Sequence, residues 1–425
     1  MRWFLILMFG VALSYAAIDT VYLEIAVEGQ RAIPLGLVHI EGTENIILHE
    51  APHKTLERDF FMSGRFAPVV LPQYNRMTFY QNRVAYFVSG KITSTDDKQY
   101  ELELKLIAVQ SLTLVTGQSY KVPLEQVRQA LHDFADMVSQ QLTGYRGVAS
   151  SRLAWVSKIR GYKQIVVGDY DGYNAKQATT HPSINTMPTW DRNLNKIYFT
   201  SFRNDRPQIF SRDFNTGRVQ LLFPHLDQTF SPAASPTTDE LVFTVSKHGR
   251  SNLWIADTES LRTRQLSYQR ANETSPAWAP NGYEVLFSAD RGGSPQIYAM
   301  DNNGGDMRRV TFVGHYNESA SWSPLGGKIV YSSQDPGGFN IYTSDLAGGE
   351  VTQLTMNAGN NEHPVWSPDG MMIAFSSNRT GSYQIYVMRQ DGSGVTRITG
   401  GTENTWPSWA PSVNTFHQES QGNNP

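Results

Sequence analysis

The chain has 425 residues, a formal net charge of −3, 40% apolar and 18% charged side chains. That balance suits a globular protein of two or three domains and excludes a largely disordered chain or a multi-spanning membrane protein. There is no basic excess for gripping nucleic acid, and the absence of cysteine rules out disulfides, thiolate metal sites and thiol chemistry.

Met1-Arg2 gives a short positive start, and Trp3 to Leu13 is an uncharged, mostly apolar run too short to span a bilayer comfortably. Small residues at Ser14 and Ala16 then fit cleavage after Ala16. Residues 1–16 read as a secretory signal peptide, so an exported, soluble, periplasmic protein is expected. Ala17 to Gly29 alternates Val21, Leu23, Ile25 and Val27, as a strand does. Lying at the new N-terminus, it can pair within its own domain or with another protein's sheet edge.

Residues 17–148 are expected to form a small mixed α/β domain. Leu35 to Ile40 reads as a buried strand, Pro52 to Met62 as a helix closed by Gly64, and Val84 to Val88 as a second strand. Glu101 to Leu106 alternates with period two. Leu124, Val127, Leu131, Phe134, Val138 and Leu142 make one apolar helical face between Pro123 and Gly144. A linker follows from Gly144 to Ser151. His132 on the long helix reads as a packed or capping residue rather than a ligand.

A 44-residue period governs residues 149–412. One series is Trp190, Trp278, Trp322 and Trp366, with Ala234 filling the gap and Trp409 one residue early. A second is Leu153, Ile197, Leu241, Val285, Ile329 and Ile373. A third is Ile165, Ile209, Leu253, Ile297, Ile341 and Ile385, each preceded by Gln or Asn and followed four residues on by Asp, except at Arg389. A fourth runs Leu222, Leu266, Val310, Leu354 and Ile398. Four β-rich runs per repeat, here A (the Trp run) to D, with Pro and Asn/Asp-Gly turns between, are the signature of a propeller blade.

Six B–C–D sets and six A runs are present, but the first set has no A before it and the last A has no B after it. The run Thr405 to Pro411 must therefore supply the first blade's inner strand. The expected fold is α+β and two-domain: a small N-terminal mixed α/β domain followed by a six-bladed β-propeller closed by the C-terminal strand, with a polar tail at 413–425. The repeated Trp, Ile and Tyr are expected to pack blades together, and the repeated Asp and amide residues to build turns and hydrogen bonds. Gly-x-Ser-x-Gly, His-Glu-x-x-His, Walker and Rossmann motifs are all missing, so no enzyme activity is expected.

The whole chain resembles the TolB family of periplasmic propellers. The resemblance rests on Asp169-Tyr170-Asp171-Gly172-Tyr173-Asn174, Ser119 to Val122, His132 with Ala135-Asp136, Leu142 to Gly144 and Pro407 to Pro411. It implies a monomeric adaptor of the Tol–Pal system that supports outer-membrane integrity and invagination at cell division, at most peripheral to the outer membrane. Its partners would be the lipoprotein Pal on the propeller face, competing colicins in some bacteria, and the C-terminal domain of TolA. The TolA-binding switch would be the N-terminal segment Ala17, Ile18, Asp19, Thr20, Val21, Tyr22, Leu23 and Glu24.

Residues in the loops entering strand A should line one mouth of the propeller: Thr186, Gln228, Ser231, Thr274, Glu318, Glu362 and Thr405. Gln228, Ser231 and Thr274 fall where the family's Pal-affecting positions lie. Glu318 and Glu362 are either solvated carboxylates or the seat of a cation, calcium for example, or of a partner's basic group. No other cofactor is implied. The competing expectation is an exported six-bladed propeller that binds a small ligand or glycan.

Overall fold

The computed structural model describes residues 32–42, 50–95 and 98–411. The signal peptide expected at 1–16, the switch strand at 17–29 and the tail at 413–425 lie outside them. From Ala32 onward the chain forms one compact unit. No helix among the described residues is long and apolar enough to cross a membrane.

The first elements are β1 (Ile33–Val38), α1 (Pro52–Met62), β2 (Phe66–Leu71), α2 (Arg76–Gln81), β3 (Tyr86–Ser94), β4 (Gln99–Ala108), β5 (Leu114–Pro123) and α3 (Leu124–Thr143). The sheet runs β2-β1-β3-β4-β5, with β1 parallel to both neighbours and the remaining pairs antiparallel. Alternation in β4 works as expected: Leu102, Leu104 and Leu106 are fully buried while Glu101, Glu103 and Lys105 face out. α1 and α3 lie where the apolar periodicity put them. Gly144 ends α3 at φ 77°, a left-handed cap that glycine adopts without a Cβ clash.

The strand expected at Leu35 to Ile40 is shifted to Ile33–Val38, and the one at Val84 to Val88 becomes Tyr86–Ser94. β2, α2 and β5 were not foreseen. β2 is a short apolar run interrupted by Pro68, a residue tolerated there because the strand is at the sheet edge. α2 has six residues and depends on the Asn75 side chain, which accepts the Thr78 N–H. β5 is an edge strand with mostly polar, exposed residues around Gly117.

The repeats form six four-stranded sheets in which strand A pairs with B, B with C and C with D. Blade 1 takes its strand A from the C-terminus: Asn404–Trp409 pairs with Arg152–Ile159, placing Trp409 opposite Leu153. This closes the ring and leaves no open inner edge. The Trp409 indole N–H donates to the Ser151 hydroxyl at 2.8 Å, and the Trp155 N–H to the Asn404 amide oxygen at 3.1 Å.

The repeated residues act as expected. Trp190, Trp278, Trp322 and Trp366 are buried. The second-series residues Leu153, Ile197, Leu241, Val285, Ile329 and Ile373 are fully buried. Asp213 and Asp257 each accept backbone N–H bonds from their own turns, which hold their pKa values below the usual carboxylate range.

Candidate functional site

Strand A lines the axis of the propeller, and its first residues stand at the mouth framed by the D–A and B–C loops. The mouth is built by a repeated network. The amide oxygens of Gln164, Gln296, Asn340 and Gln384 accept from the hydroxyls of Thr179, Thr311, Thr355 and Thr399. The same oxygens accept from Asn185, Asn317, Asn361 and Asn404, which open the following A strands. Blade 4 departs from this rule. Glu273 replaces the asparagine, is fully buried, and pairs with Arg291 and the Ser267 hydroxyl.

Each A strand then bulges. Met187, Ser231, Ser275, Ser319, His363 and Trp406 all adopt φ between 52° and 54°. The ladder to strand B slips at each of these points. Five of the six precede proline, a residue that fits a strand interior only at such irregularities. Hydroxyls on the preceding blade's B strand accept the N–H groups the bulges free. Thr200 serves Ser231 at 3.1 Å, Ser288 serves Ser319 at 3.3 Å, Ser332 serves His363 at 3.1 Å and Ser376 serves Trp406 at 3.0 Å.

The structure places the expected mouth residues inside strand A rather than in the loops before it. Thr186, Thr274, Glu318, Glu362 and Thr405 are each the second residue of their strand; Gln228 is first and Ser231 fourth. Thr405 is buried, the others half-buried apart from buried Ser231. Glu318 and Glu362 are therefore not freely solvated loop carboxylates. Burial raises the pKa of both, against single bonds from Tyr316 at 3.0 Å and Tyr383 at 3.1 Å, and the charge of Glu318 raises Glu362 further. Beside them the His363 and Trp406 rings stack with centroids 3.5 Å apart. Desolvation pushes the His363 imidazole down to about 3, with Lys163 adding to the shift, so at neutral pH it brings no positive charge to the pair. Glu318 and Glu362 are the side chains that could hold a cation here.

A second cluster, on the opposite face, was not foreseen from the sequence. There the α/β domain sits on the A–B turn of blade 6 and the C–D turn of blade 1. Asp59 of α1 pairs with His132 of α3 at 2.7 Å, and its other oxygen accepts the Tyr170 hydroxyl at 2.8 Å; all three side chains are buried. Asp171 pairs with Arg128 and, at 3.3 Å, with Arg58, while Glu50 binds both arginines. Both guanidinium groups stack over the Tyr173 ring. Burial disfavours the His132 imidazolium, but the carboxylates of Asp59 and Asp171 outweigh it and raise the pKa. Asp59, His132 and Asp171 offer ligand atoms within 4.8 Å of one another. The two arginines and the tyrosine hydroxyl already engage those carboxylates, so the chemistry is that of an ion-pair latch.

Further contacts extend the latch. Arg65 pairs with Asp369 at 3.2 Å, and the Arg389 guanidinium donates to the Phe61 carbonyl at 2.9 Å while lying over its ring. Gly144 to Ser151 is no loose linker: the Asp136 carboxylate accepts the Ala149 and Ser150 N–H groups at 2.7 and 2.9 Å. The latch explains two sequence signals. Asp169 to Asn174 is the blade 1 turn that meets the α/β domain, and Arg389 breaks the aspartate series because it reaches across to Phe61.

These features define a six-bladed propeller with one face occupied by an α/β domain and the other open at a bulged, half-buried mouth. The model of the TolB beta propeller domain matches residues 139–341 and 321–424. The chain belongs to the TolB beta-propeller family.

The crystal structure of TolB from Acinetobacter baumannii superposes with a TM-score of 0.76 at 26% identity, covering 90% of this chain and 98% of that one. The Tol-Pal system protein TolB of a Polaromonas species is 30% identical over 210 residues, 47% of this chain and 48% of that protein. The protein of the same name from Coxiella burnetii is 28% identical over 234 residues, 51% and 53% of the two chains. The chain thus spans about half the length of the curated relatives it matches. A likeness to the nidogen/laminin complex, at 12% identity and a TM-score of 0.52, concerns the fold alone.

Proposed function

We propose that this chain is the periplasmic adaptor of a Tol–Pal system, binding Pal at the open propeller mouth and the C-terminal domain of TolA through Ala17 to Glu24. In this role it supports outer-membrane integrity and invagination at division, without catalysis. The observation that carries the reading is the mouth itself. It lies on the face the α/β domain leaves free, has Tyr268 and Met356 on its D–A loops at 76% and 65% exposure, and encloses two carboxylates without a cationic partner among the described residues. An exposed apolar rim around a polar centre suits a folded protein partner. The names of the curated relatives and the likeness to the Acinetobacter TolB support it.

Glu318 and Glu362 take either calcium or a basic side chain of the partner. Calorimetry with calcium on the wild type and on Glu318→Gln/Glu362→Gln separates these, because a wild type that gives no heat leaves only the basic side chain. The direct test of function is titration with Pal and TolA separately. Deleting residues 17–29 is expected to abolish TolA binding and leave Pal binding intact. Since coupling between two sites is reciprocal, Pal and TolA should change each other's affinity by the same factor. A deletion variant that still binds TolA defeats the switch, and a wild type that ignores Pal defeats the adaptor.

A second reading has a place to act. A cleft of about 370 Å³ between blades 2 and 3 is lined by Lys196, Tyr198, Ser211, Gln220 and Glu259, polar groups of the kind that grip a small ligand or glycan.

A further inference from the structure

A propeller face repeats itself every blade, so shape alone gives a docking protein six nearly equivalent seats. The charges on this mouth do not repeat. The B–C hairpins of blades 1 and 3 are two-residue turns, Arg160-Gly161 and His248-Gly249, with positive φ at both central residues. Such turns are stiff and match strand twist, so they hold their flanking side chains in fixed places. Those side chains are Lys158, Arg160, Lys247 and Arg250, all exposed and none in an ion pair among the described residues. Between them, blade 2 adds Arg203, whose guanidinium lies 4.4 Å over the Phe210 ring.

The other half of the mouth has no such surplus. Arg291 of blade 4 is spent on buried Glu273, and Arg379 of blade 6 donates to the Asn361 amide oxygen at 2.8 Å. Blade 5 carries Asp335 at the equivalent place, held by the Tyr342 hydroxyl at 2.7 Å. Glu318 and Glu362 belong to blades 5 and 6 as well. The mouth therefore carries an excess of cations over blades 1 to 3, set against Asp205 of blade 2, and an excess of carboxylates over blades 5 and 6, set against Arg379, with Tyr268 and Met356 on the D–A loops that lead into blades 4 and 6.

We propose that this split selects a protein partner with an acidic arc facing blades 1 to 3, and that the match fixes a single rotational register on the pseudo-sixfold face. The inference rests on the adaptor reading above and adds the partner's surface chemistry to it. Charge complementarity accelerates encounter by one to three orders of magnitude and penalises like-charge juxtaposition, so five of the six seats are disfavoured before any contact is made.

The test is association kinetics with the soluble domain of Pal across a range of salt concentrations. Lys158→Glu/Lys247→Glu/Arg250→Glu is compared with Arg218→Glu/Arg262→Glu/Lys328→Glu, which changes net charge equally on the opposite face. All six positions are exposed, and matching melting temperatures show that both variants fold. The mouth variant is expected to associate about 10-fold to 100-fold more slowly at low salt and to lose its salt dependence, while the opposite-face variant stays close to wild type.

If wild type binds Pal and the two variants slow it equally or not at all, the acidic-arc inference falls and the adaptor reading stands. If wild type does not bind Pal, both fall. Because the chain contains no cysteine, one spin label at Ser294→Cys and one on Pal can read the register. A single narrow distance population is expected, and several populations overturn the fixed register.

Discussion

The propeller and its junction with the α/β domain are held together in different ways. Inside the propeller the same amide and hydroxyl residues meet at four of the six blade boundaries, so each contact is one of several copies. The junction uses residues that occur once: Asp59, His132, Arg128, Tyr170 and Asp171. Repetition spreads stability over many modest contacts, whereas the junction concentrates it in a few buried charges. A ring of equal parts tolerates the loss of one contact. A latch of buried ions does not, because removing one partner strands the rest without solvent.

The most damaging change should be one that breaks the ring's closure. Deletion from Asn404 onward removes strand A of blade 1 and leaves Trp155 and Ser151 without their partners. Loss of cooperative unfolding, or a sharply lowered melting temperature by circular dichroism, is expected. A truncated chain that melts like the full one refutes closure.

The next effect separates the two regions. Asp59→Ala strands His132 and Tyr170 and should cost about 3–5 kcal/mol by chemical denaturation. Thr311→Val removes one copy of the repeated network, the hydroxyl that accepts the Ile297 N–H at 2.9 Å, and should cost about 1–3 kcal/mol. Equal losses would erase the distinction between latch and ring.

A smaller, pH-dependent effect sharpens it. Burial pushes Asp136 up to about 6, against the bonds it accepts from Ser150 and Ala149. A raised folded-state pKa gives stability that is fully present below the ordinary carboxylate value and is lost as pH rises through 6. Asp136→Asn should therefore gain on wild type by up to about 3 kcal/mol between acidic and neutral pH. His132, also raised, acts in the same sense: its pairing is complete below 6.5 and fades as pH climbs through the folded value. The junction is expected to loosen towards alkaline pH, read as a falling melting temperature. A flat profile in wild type, or an unchanged one in Asp136→Asn, rules this out.

The propeller was legible in the sequence because its period is long, strict and chemically marked. Ile197, Val285 and Ile373 could be counted, and the count alone required the last strand to close the first blade. The long helices were legible for the same kind of reason, since six apolar residues from Leu124 to Leu142 repeat on one face. β2, α2 and β5 carried no such period. An edge strand containing Pro68, a six-residue helix and a mostly exposed strand around Gly117 are set by their neighbours rather than by their own pattern.

The mouth was half legible. Its residues could be named from the ruler, but their place within the strands and the bulge beside them came from backbone geometry, signalled only by prolines such as Pro188, Pro232 and Pro276. The latch was hidden because Asp59 and His132 are 73 residues apart and Tyr170 lies in another domain. Pairings of that kind leave no periodic trace. The nearest clue was Arg389, a break in a series that otherwise holds.

The closing strand has a consequence for how the molecule is made. Trp409 and Ser151, which bond to each other, are 258 residues apart. Until Asn404–Trp409 has been made, blade 1 is a three-stranded sheet with its inner edge bare. The ring then shuts in one long-range step that pays a large loop-closure entropy, so closure is expected to be slow and to wait for Asn404–Trp409.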